Sequence, residues 1–178
     1  MTYCVKLRTM LFAAIAMLMS ACHDVPVVEV STDRPDSLSE RLLNANKYIA
    51  GSEEKQIDSY ISRRGWQMER LGGGARVMET VAGEGRVEAD DTVMFDYSLE
   101  AIDGQVIYRQ VSDTVIAGKM QPTRGLDAAL LTLGRGSRAT VILPSEQGYG
   151  VMGDGDRVGH RMILIYKIEV KDIRHLKL

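Results

Sequence analysis

The chain has 178 residues, of which 45 % are hydrophobic and 26 % charged, and its formal net charge is −2. That length suits one folded domain with an appendage. A nearly balanced charge gives no indication of nucleic-acid binding, which favours a strongly basic surface.

The first 22 residues have the pattern of an export signal. Two basic residues precede a ten-residue apolar run at 10–19, which is too short to span a bilayer but typical of a signal peptide. Residues 19–22, Met-Ser-Ala-Cys, resemble a bacterial lipobox, which implies cleavage before Cys22 and its lipidation. An ordinary signal peptide, or an N-terminal anchor with a chance cysteine, is the alternative. Cleavage would remove Cys4, so no disulfide framework is expected.

The lipidation prediction locates the protein in the cell envelope. A lipid on Cys22 would hold the chain on a membrane, at its periplasmic or surface face. The predicted signal peptide spans residues 1–21. Residues 22–36 contain prolines and no helical period, and we expect them to form a flexible tether.

Residues 37–65 are expected to form an N-terminal segment of two helices. Ser37 and Glu40 have capping-box spacing for the first helix, and Ser52 can cap the second after a break at Gly51. Each helix has an apolar face, made by Leu38, Leu42 and Leu43 in the first and by Ile57, Tyr60 and Ile61 in the second. These faces either pack against the domain or make residues 38–63 a dimerising or partner-binding arm.

Residues 66–178 show the pattern of a sheet domain. The stretch 92–99 alternates between apolar and polar residues, as a half-buried strand does. Asp103-Gly104 predicts a hairpin turn, and 106–109 a returning strand. A helix is expected over 125–133 and a last strand over 162–170. Many strands with one late helix predict an α+β fold, with an antiparallel sheet wrapped around that helix.

Motifs for metal or nucleotide binding are absent or in the wrong context. Gly134-Arg135-Gly136 follows a helix, whereas a dinucleotide-binding turn follows a strand. Asp154 and Asp156 begin like a calcium loop, but later ligand positions are apolar. We therefore predict no metal site.

Glycine, proline and tyrosine residues occur in an order that points to one family. Gly125, the helix after it, Pro144 and Tyr149-Gly150 resemble the core of the FKBP family of peptidyl-prolyl isomerases. Two strand motifs, Val93–Tyr97 and Leu164–Val170, extend this resemblance over about residues 66–173. It implies an FKBP-like sheet around one short helix. The whole layout resembles lipid-anchored FKBP-like proteins of gliding Bacteroidetes-type bacteria.

The resemblance implies a proline-binding pocket. Tyr97 and Tyr166 match aromatic residues of its wall, and Tyr149 matches the tyrosine whose hydroxyl donates a hydrogen bond to a ligand carbonyl. These three are the candidate catalytic residues. The candidate substrate-binding residues are Ile107, Tyr108, Thr123, Leu126, Leu164 and Ile168.

Three of these positions depart from the family pattern, and Pro122-Thr123 also stands where the family has a valine-isoleucine pair, although Thr123 can still supply the backbone amide. Ile107 replaces a phenylalanine, Tyr108 an aspartate, and Leu126 the tryptophan of the pocket floor. Rotation about an X–Pro bond has a barrier of about 18–20 kcal/mol. A dry pocket that holds the imide twisted lowers this barrier without acid, base or cofactor. A leucine floor keeps the site dry but removes a stacking surface, so we expect weaker proline binding and lower activity.

The sequence therefore predicts an FKBP-type isomerase and folding helper of the cell envelope, acting on X–Pro bonds of exported proteins through a degenerate pocket. Two alternatives stay open. One is a non-catalytic FKBP-like binding module or chaperone. The other is a structural lipoprotein of an envelope or motility complex.

Overall fold

The computed structural model describes residues 35–175, with side chains from residue 38. The chain divides into two units after Leu42, and the second unit contains every strand of the described residues. Cys22, the predicted signal peptide and most of the predicted tether lie outside the described residues. Within residues 35–175, no helix is both long and apolar enough to cross a membrane.

The N-terminal segment is one helix, α1, which spans Pro35–Arg64. The prediction of two helices with a break at Gly51 is therefore wrong. A glycine inside a helix costs only about 1 kcal/mol relative to alanine, which the neighbouring turns offset. The helix also begins two residues before Ser37, at a proline, whose ring suits the first helical position. It ends at Arg64, and the following Gly65 has the positive φ of 64° that is favoured just after a helix.

The two apolar faces of α1 have different environments. Ile57 and Tyr60 are buried against the sheet, as the packing interpretation expects. Leu38, Leu42 and Leu43 are each more than half exposed. The C-terminal part of α1 is thus a structural element of the domain, while its N-terminal part presents apolar side chains to solvent.

Six strands form one antiparallel sheet in the order β1-β2-β5-β6-β3-β4. A short helix, α2, spans Arg124–Leu130, and two 3₁₀ turns span Gly72–Gly74 and Ser145–Gln147. The strands are β1 (Glu69–Arg70), β2 (Arg76–Val81), β3 (Thr92–Ala101), β4 (Val106–Ile116), β5 (Arg138–Leu143) and β6 (Leu164–Arg174).

Each face of the sheet is covered by a helix. One face packs against α2 in a core that includes Phe95, Val141 and Tyr166. The other face packs against α1 through residues such as Ile142 and Ile165. Successive strand residues point to opposite faces, so each strand contributes to both cores. The predicted α+β architecture, a sheet around one short helix, is confirmed.

Strand β4 is longer than the predicted 106–109 and contains irregularities. It runs to Ile116, because its polar residues alternate with half-buried ones as an edge strand allows. Its pairing with β3 shifts register on both sides of Leu99. Such bulges re-aim side chains, and the consecutive residues Ile107 and Tyr108 both contact the core beneath α2. Strand β6 is likewise displaced from the predicted 162–170, and α2 ends three residues early.

Candidate functional site

Three tyrosines converge on the α2 side of the sheet. Tyr97 lies on β3 and Tyr166 on β6, and their ring centroids are 5.4 Å apart at an interplanar angle of 49°. Phe95 extends this aromatic row, with its ring 5.8 Å from that of Tyr97. Tyr149 follows the second 3₁₀ turn and packs against the same core. The candidate catalytic residues are therefore neighbours, although 69 positions separate the first from the last in sequence.

The three rings differ in depth. Tyr97 and Tyr149 are half-buried, while Tyr166 is only 1 % exposed. Burial raises the pKa of Tyr97 to about 12 and also raises the pKa of Tyr149 and of Tyr166. A phenol ordinarily titrates near 10, so all three hydroxyls stay neutral at physiological pH. Each can therefore donate a hydrogen bond.

A network of backbone hydrogen bonds holds the loop of Tyr149. The amide of Gly150 donates to the carbonyl of Ser145 at 2.8 Å, and the amide of Gly153 donates to the carbonyl of Tyr149 at 3.2 Å. These bonds close the chain on both sides of the tyrosine. Its position consequently depends on the 3₁₀ turn that begins at Ser145.

Helix α1 anchors that turn through a buried carboxylate. Glu53 accepts hydrogen bonds from the amide of Ser145 at 2.8 Å and from its hydroxyl at 2.6 Å. Both residues are buried. The sequence analysis missed Glu53, because its partner lies 92 positions away and no local pattern connects them. The only available signal was an acidic residue on the apolar side of a helix.

Helix α2 lies directly behind the site. Thr123 caps the helix, since its hydroxyl accepts from the amide of Leu126 at 3.3 Å. A methyl group at Gly125 would lie 2.7 Å from a Leu143 methyl and 2.9 Å from the carbonyl oxygen of Gln147. Glycine is thus required for the close approach of α2 to the turn that precedes Tyr149. Leu126 is fully buried.

Tyr108 connects β4 to the loop after Tyr149. Its hydroxyl donates to Asp154 Oδ2 at 2.6 Å and lies 3.2 Å from Asp156 Oδ2. The hydrogen bond with Asp154 raises the pKa of Tyr108. Partial burial opposes ionisation of Asp154, but bonds from Tyr108 and from backbone amides lower the pKa of this carboxyl. The two aspartates of the apparent calcium loop therefore act as partners of Tyr108.

The other candidate binding residues support the tyrosines from beneath. Ile107, Leu164 and Ile168 are all buried in the core that contains Tyr166. The Cα atoms of Ile168 and Tyr97 are paired across β6 and β3. Five of the six candidate binding residues are buried, and Tyr108 is half-exposed. The six residues are Ile107, Tyr108, Thr123, Leu126, Leu164 and Ile168. They shape the apolar floor on which the aromatic row rests.

The arrangement is suited to binding. It combines apolar walls with neutral hydroxyl donors. Within residues 35–175, no three His, Cys, Asp or Glu side chains are grouped to hold a metal ion. Rings of this kind can enclose a small apolar group while a hydroxyl binds a carbonyl oxygen next to it.

Comparison with known proteins assigns the family. The family model described as FKBP-type peptidyl-prolyl cis-trans isomerase matches residues 83–171, half of the chain, and this range includes all nine candidate residues of the tyrosine site. Curated protein sequences gave no match. A 1.6 Å crystal structure of a peptidyl-prolyl cis-trans isomerase from Pseudomonas syringae pv. tomato str. DC3000 is similar in fold. Its TM-score is 0.60 at 21 % identity, covering 72 % of this chain and 96 % of that one. The chain belongs to the FKBP-type peptidyl-prolyl cis-trans isomerase family.

Proposed function

We propose that this domain isomerises X–Pro bonds of exported proteins, more slowly than relatives with a complete aromatic pocket. The observation that carries the proposal is the convergence of Tyr97, Tyr149 and Tyr166 above a closed apolar core. Water stabilises the planar resonant form of the imide. Aromatic walls withdraw the imide from that water. A hydroxyl at the rim holds a neighbouring carbonyl. Together these effects favour the twisted transition state over the planar ground state.

Two features support a reduced rate. Leu126 provides no flat ring beneath the aromatic row, so a proline ring would lose stacking area at the floor. The hydroxyl of Tyr108 donates a hydrogen bond to Asp154, so its ring is not free to move and replace the missing stacking surface. Both effects weaken contact with the reacting imide, which raises KM and lowers kcat/KM.

A protease-coupled assay with a proline tetrapeptide tests the activity. The purified chain is expected to accelerate the slow cis-to-trans phase above the buffer rate at micromolar concentration. Tyr149→Phe is the matched variant, because it removes one hydroxyl and keeps the ring. It should lower kcat/KM by about tenfold, the effect of one hydrogen bond of ~1.4 kcal/mol. No acceleration by a protein shown to be folded would refute the proposal.

A non-catalytic binding module or chaperone is the second candidate. The enclosed Leu126 and the departures at Ile107 and Tyr108 favour it. Under this hypothesis the chain suppresses aggregation of an unfolded client, and this effect is equal in the wild type and in Tyr149→Phe. Under the isomerase hypothesis, the same substitution slows the proline-limited refolding of that client.

We also propose that the protein is a lipoprotein of the cell envelope. The support is the basic and apolar N-terminus followed by Met-Ser-Ala-Cys at 19–22. Expression with a labelled fatty acid should give a labelled, membrane-bound chain. Cys22→Ser should abolish both the label and the membrane association, whereas Cys4→Ser should leave them unchanged. Labelling that persists without Cys22 would contradict the proposal.

The exposed part of α1 supports an interaction through residues 38–63, either between two copies or with an envelope partner. Leu38, Leu42 and Leu43 are each more than half exposed, and Tyr48 is 79 % exposed. Substitution is a cleaner test than deletion of residues 37–64, which would also remove Glu53. Leu42→Glu with Leu43→Glu should lower the molar mass measured by light scattering, or abolish partner recovery. Lys47→Glu serves as the exposed control on the same helix. Equal behaviour of all variants would argue against the arm.

A further inference from the structure

Tyr166 has a buried hydroxyl that makes no hydrogen bond of good geometry inside the protein. Tyr166 is the third residue of β6, with Leu99 of β3 on one side and Val141 of β5 on the other. The side chain is almost completely enclosed. Among residues 35–175, the Tyr166 hydroxyl is the one buried side-chain oxygen or nitrogen that has no hydrogen-bond partner.

Such a hydroxyl is costly to the folded state. Burial removes the hydrogen bonds that water makes with the unfolded chain, and no hydrogen bond of good geometry inside the protein replaces them. Phenylalanine would fill the same space without this cost. Groups of this kind are rare in native structures, and each one requires an explanation such as a catalytic role or a bound partner.

The surroundings of the hydroxyl locate it within the tyrosine site. The ring of Tyr97 is its aromatic neighbour at 5.4 Å. Burial raises the pKa of Tyr166 most, and the neighbouring Tyr149 raises it further through its charge and a marginal hydrogen bond that falls outside good geometry. The hydroxyl consequently remains protonated and is a hydrogen-bond donor at any physiological pH.

The chemistry of a prolyl peptide matches a donor. The imide nitrogen of an X–Pro bond has no hydrogen, so the groups around the bond are carbonyl acceptors. We propose that the Tyr166 hydroxyl donates to a peptide carbonyl of the bound substrate, as a second donor beside Tyr149. This inference rests on the proposed isomerase function and assigns its substrate recognition to a specific atom.

The identity of the carbonyl follows from the reaction. A hydrogen bond to the imide oxygen would strengthen the partial double bond of the C–N linkage, because it stabilises the charge-separated resonance form. It would therefore slow rotation. A bond to a carbonyl outside the rotating imide is equally strong in the ground state and the transition state. The Tyr166 bond is of this second kind, so it contributes to KM and not to kcat.

Tyr166→Phe tests the inference, with wild type and Tyr60→Phe as references. Tyr60 is also buried, but it lies on α1 and packs on the opposite face of the sheet. For a proline tetrapeptide, Tyr166→Phe should raise KM about 5- to 30-fold, the loss of one hydrogen bond. The kcat should stay within about twofold. The urea midpoint should remain equal or rise, since the substitution removes an unsatisfied group. Tyr60→Phe should leave KM unchanged.

Each other outcome overturns the inference. An unchanged KM with a raised midpoint would mean that the hydroxyl has no ligand. An unchanged KM with a lowered midpoint would mean that the hydroxyl has only a structural role. A lowered kcat at constant KM would mean that its bond forms only in the transition state, and a raised kcat would place the bond on the imide oxygen. A wild-type protein that neither binds nor isomerises the peptide would refute the proposed function as well. This result is distinct from a Tyr166→Phe variant that works as well as the wild type, which would refute only the role of the hydroxyl.

A second measurement applies if Tyr166→Phe folds poorly. In the wild-type protein, saturation with the peptide should slow the exchange of the Tyr166 hydroxyl proton until its NMR signal becomes visible. Absence of this signal at saturating peptide would refute the contact.

Discussion

The contact between Glu53 and Ser145 couples helix α1 to the loop of Tyr149, and its removal should damage both stability and activity. Glu53 accepts two hydrogen bonds inside the protein, at 2.8 Å and 2.6 Å. Hydrogen bonds to a charged group contribute about 1.5–3 kcal/mol each. The two bonds share one carboxylate, and the turn can relax after their loss. We therefore expect Glu53→Ala to lower the free energy of unfolding by about 3 kcal/mol.

The expected functional effect follows from the turn. Without its acceptor, Ser145 no longer fixes the start of the 3₁₀ turn, and the bond from the Gly150 amide to the Ser145 carbonyl becomes weaker. Tyr149 then samples more positions, so KM for a proline peptide should rise severalfold. Glu53→Gln keeps one acceptor oxygen and should cost about half as much as Glu53→Ala.

Urea denaturation followed by circular dichroism measures the change in stability. The midpoint should fall without a change in the slope, since the surface exposed on unfolding stays the same. Glu40→Ala is the matched control, because Glu40 is exposed on the same helix. It should change stability by less than about 0.5 kcal/mol. An equally small effect of Glu53→Ala would refute the reasoning, because it would show that the buried carboxylate contributes nothing net.

Three further predictions address separate parts of the site. Leu126→Trp should lower the free energy of unfolding measured in urea by about 1–3 kcal/mol, because it overpacks a closed core. It should also lower KM, because it restores a stacking surface. An unchanged KM would argue against proline binding at this position. Gly125→Ala should lower the free energy of unfolding by about 1–3 kcal/mol and raise KM, because its methyl group would crowd Gln147. A urea midpoint equal to that of the wild type would contradict this prediction. Near-ultraviolet titration should show Tyr97 ionising near pH 12, above its ordinary value of 10.0. Its raised pKa favours the folded state fully below pH 10, and this contribution is lost as the pH rises through 12; a midpoint near 10 would contradict its burial.

Local patterns were sufficient to predict the centre of the domain. The alternation over 92–99 indicates a half-buried strand because side chains point to opposite faces in turn, and β3 has this burial. The apolar spacing around Leu126 similarly predicts α2. The order of Gly125, Pro144 and Tyr149 carried the resemblance to the family, since each position is constrained by the geometry of one loop or turn.

The errors arose where long-range packing outweighs local propensity. Gly51 suggested a helix break, but its cost of about 1 kcal/mol is small beside the burial of Ile57 and Tyr60. The end of β4 was missed because edge strands are rich in polar residues, and its bulges cannot be seen in a pattern of strict alternation.

The buried polar groups could not be predicted at all. Glu53 and Ser145 meet only after the sheet has formed, and neither residue type normally indicates a buried contact. The sequence identified Tyr166 as an aromatic wall residue, but the isolation of its hydroxyl depends on the arrangement of three strands and a loop. These are the features in which local and global preferences disagree, and such disagreement is typical of functional sites.

The most direct test of the account is an NMR titration of the labelled protein with a proline tetrapeptide. The account predicts that the largest amide shifts occur at Tyr97, Tyr149 and Tyr166, and that Trp66 beside α1 does not shift. It also predicts cis–trans exchange of the bound peptide faster than in buffer. Shifts confined to α1, or binding without faster exchange, would contradict the claim that the tyrosine site isomerises X–Pro bonds.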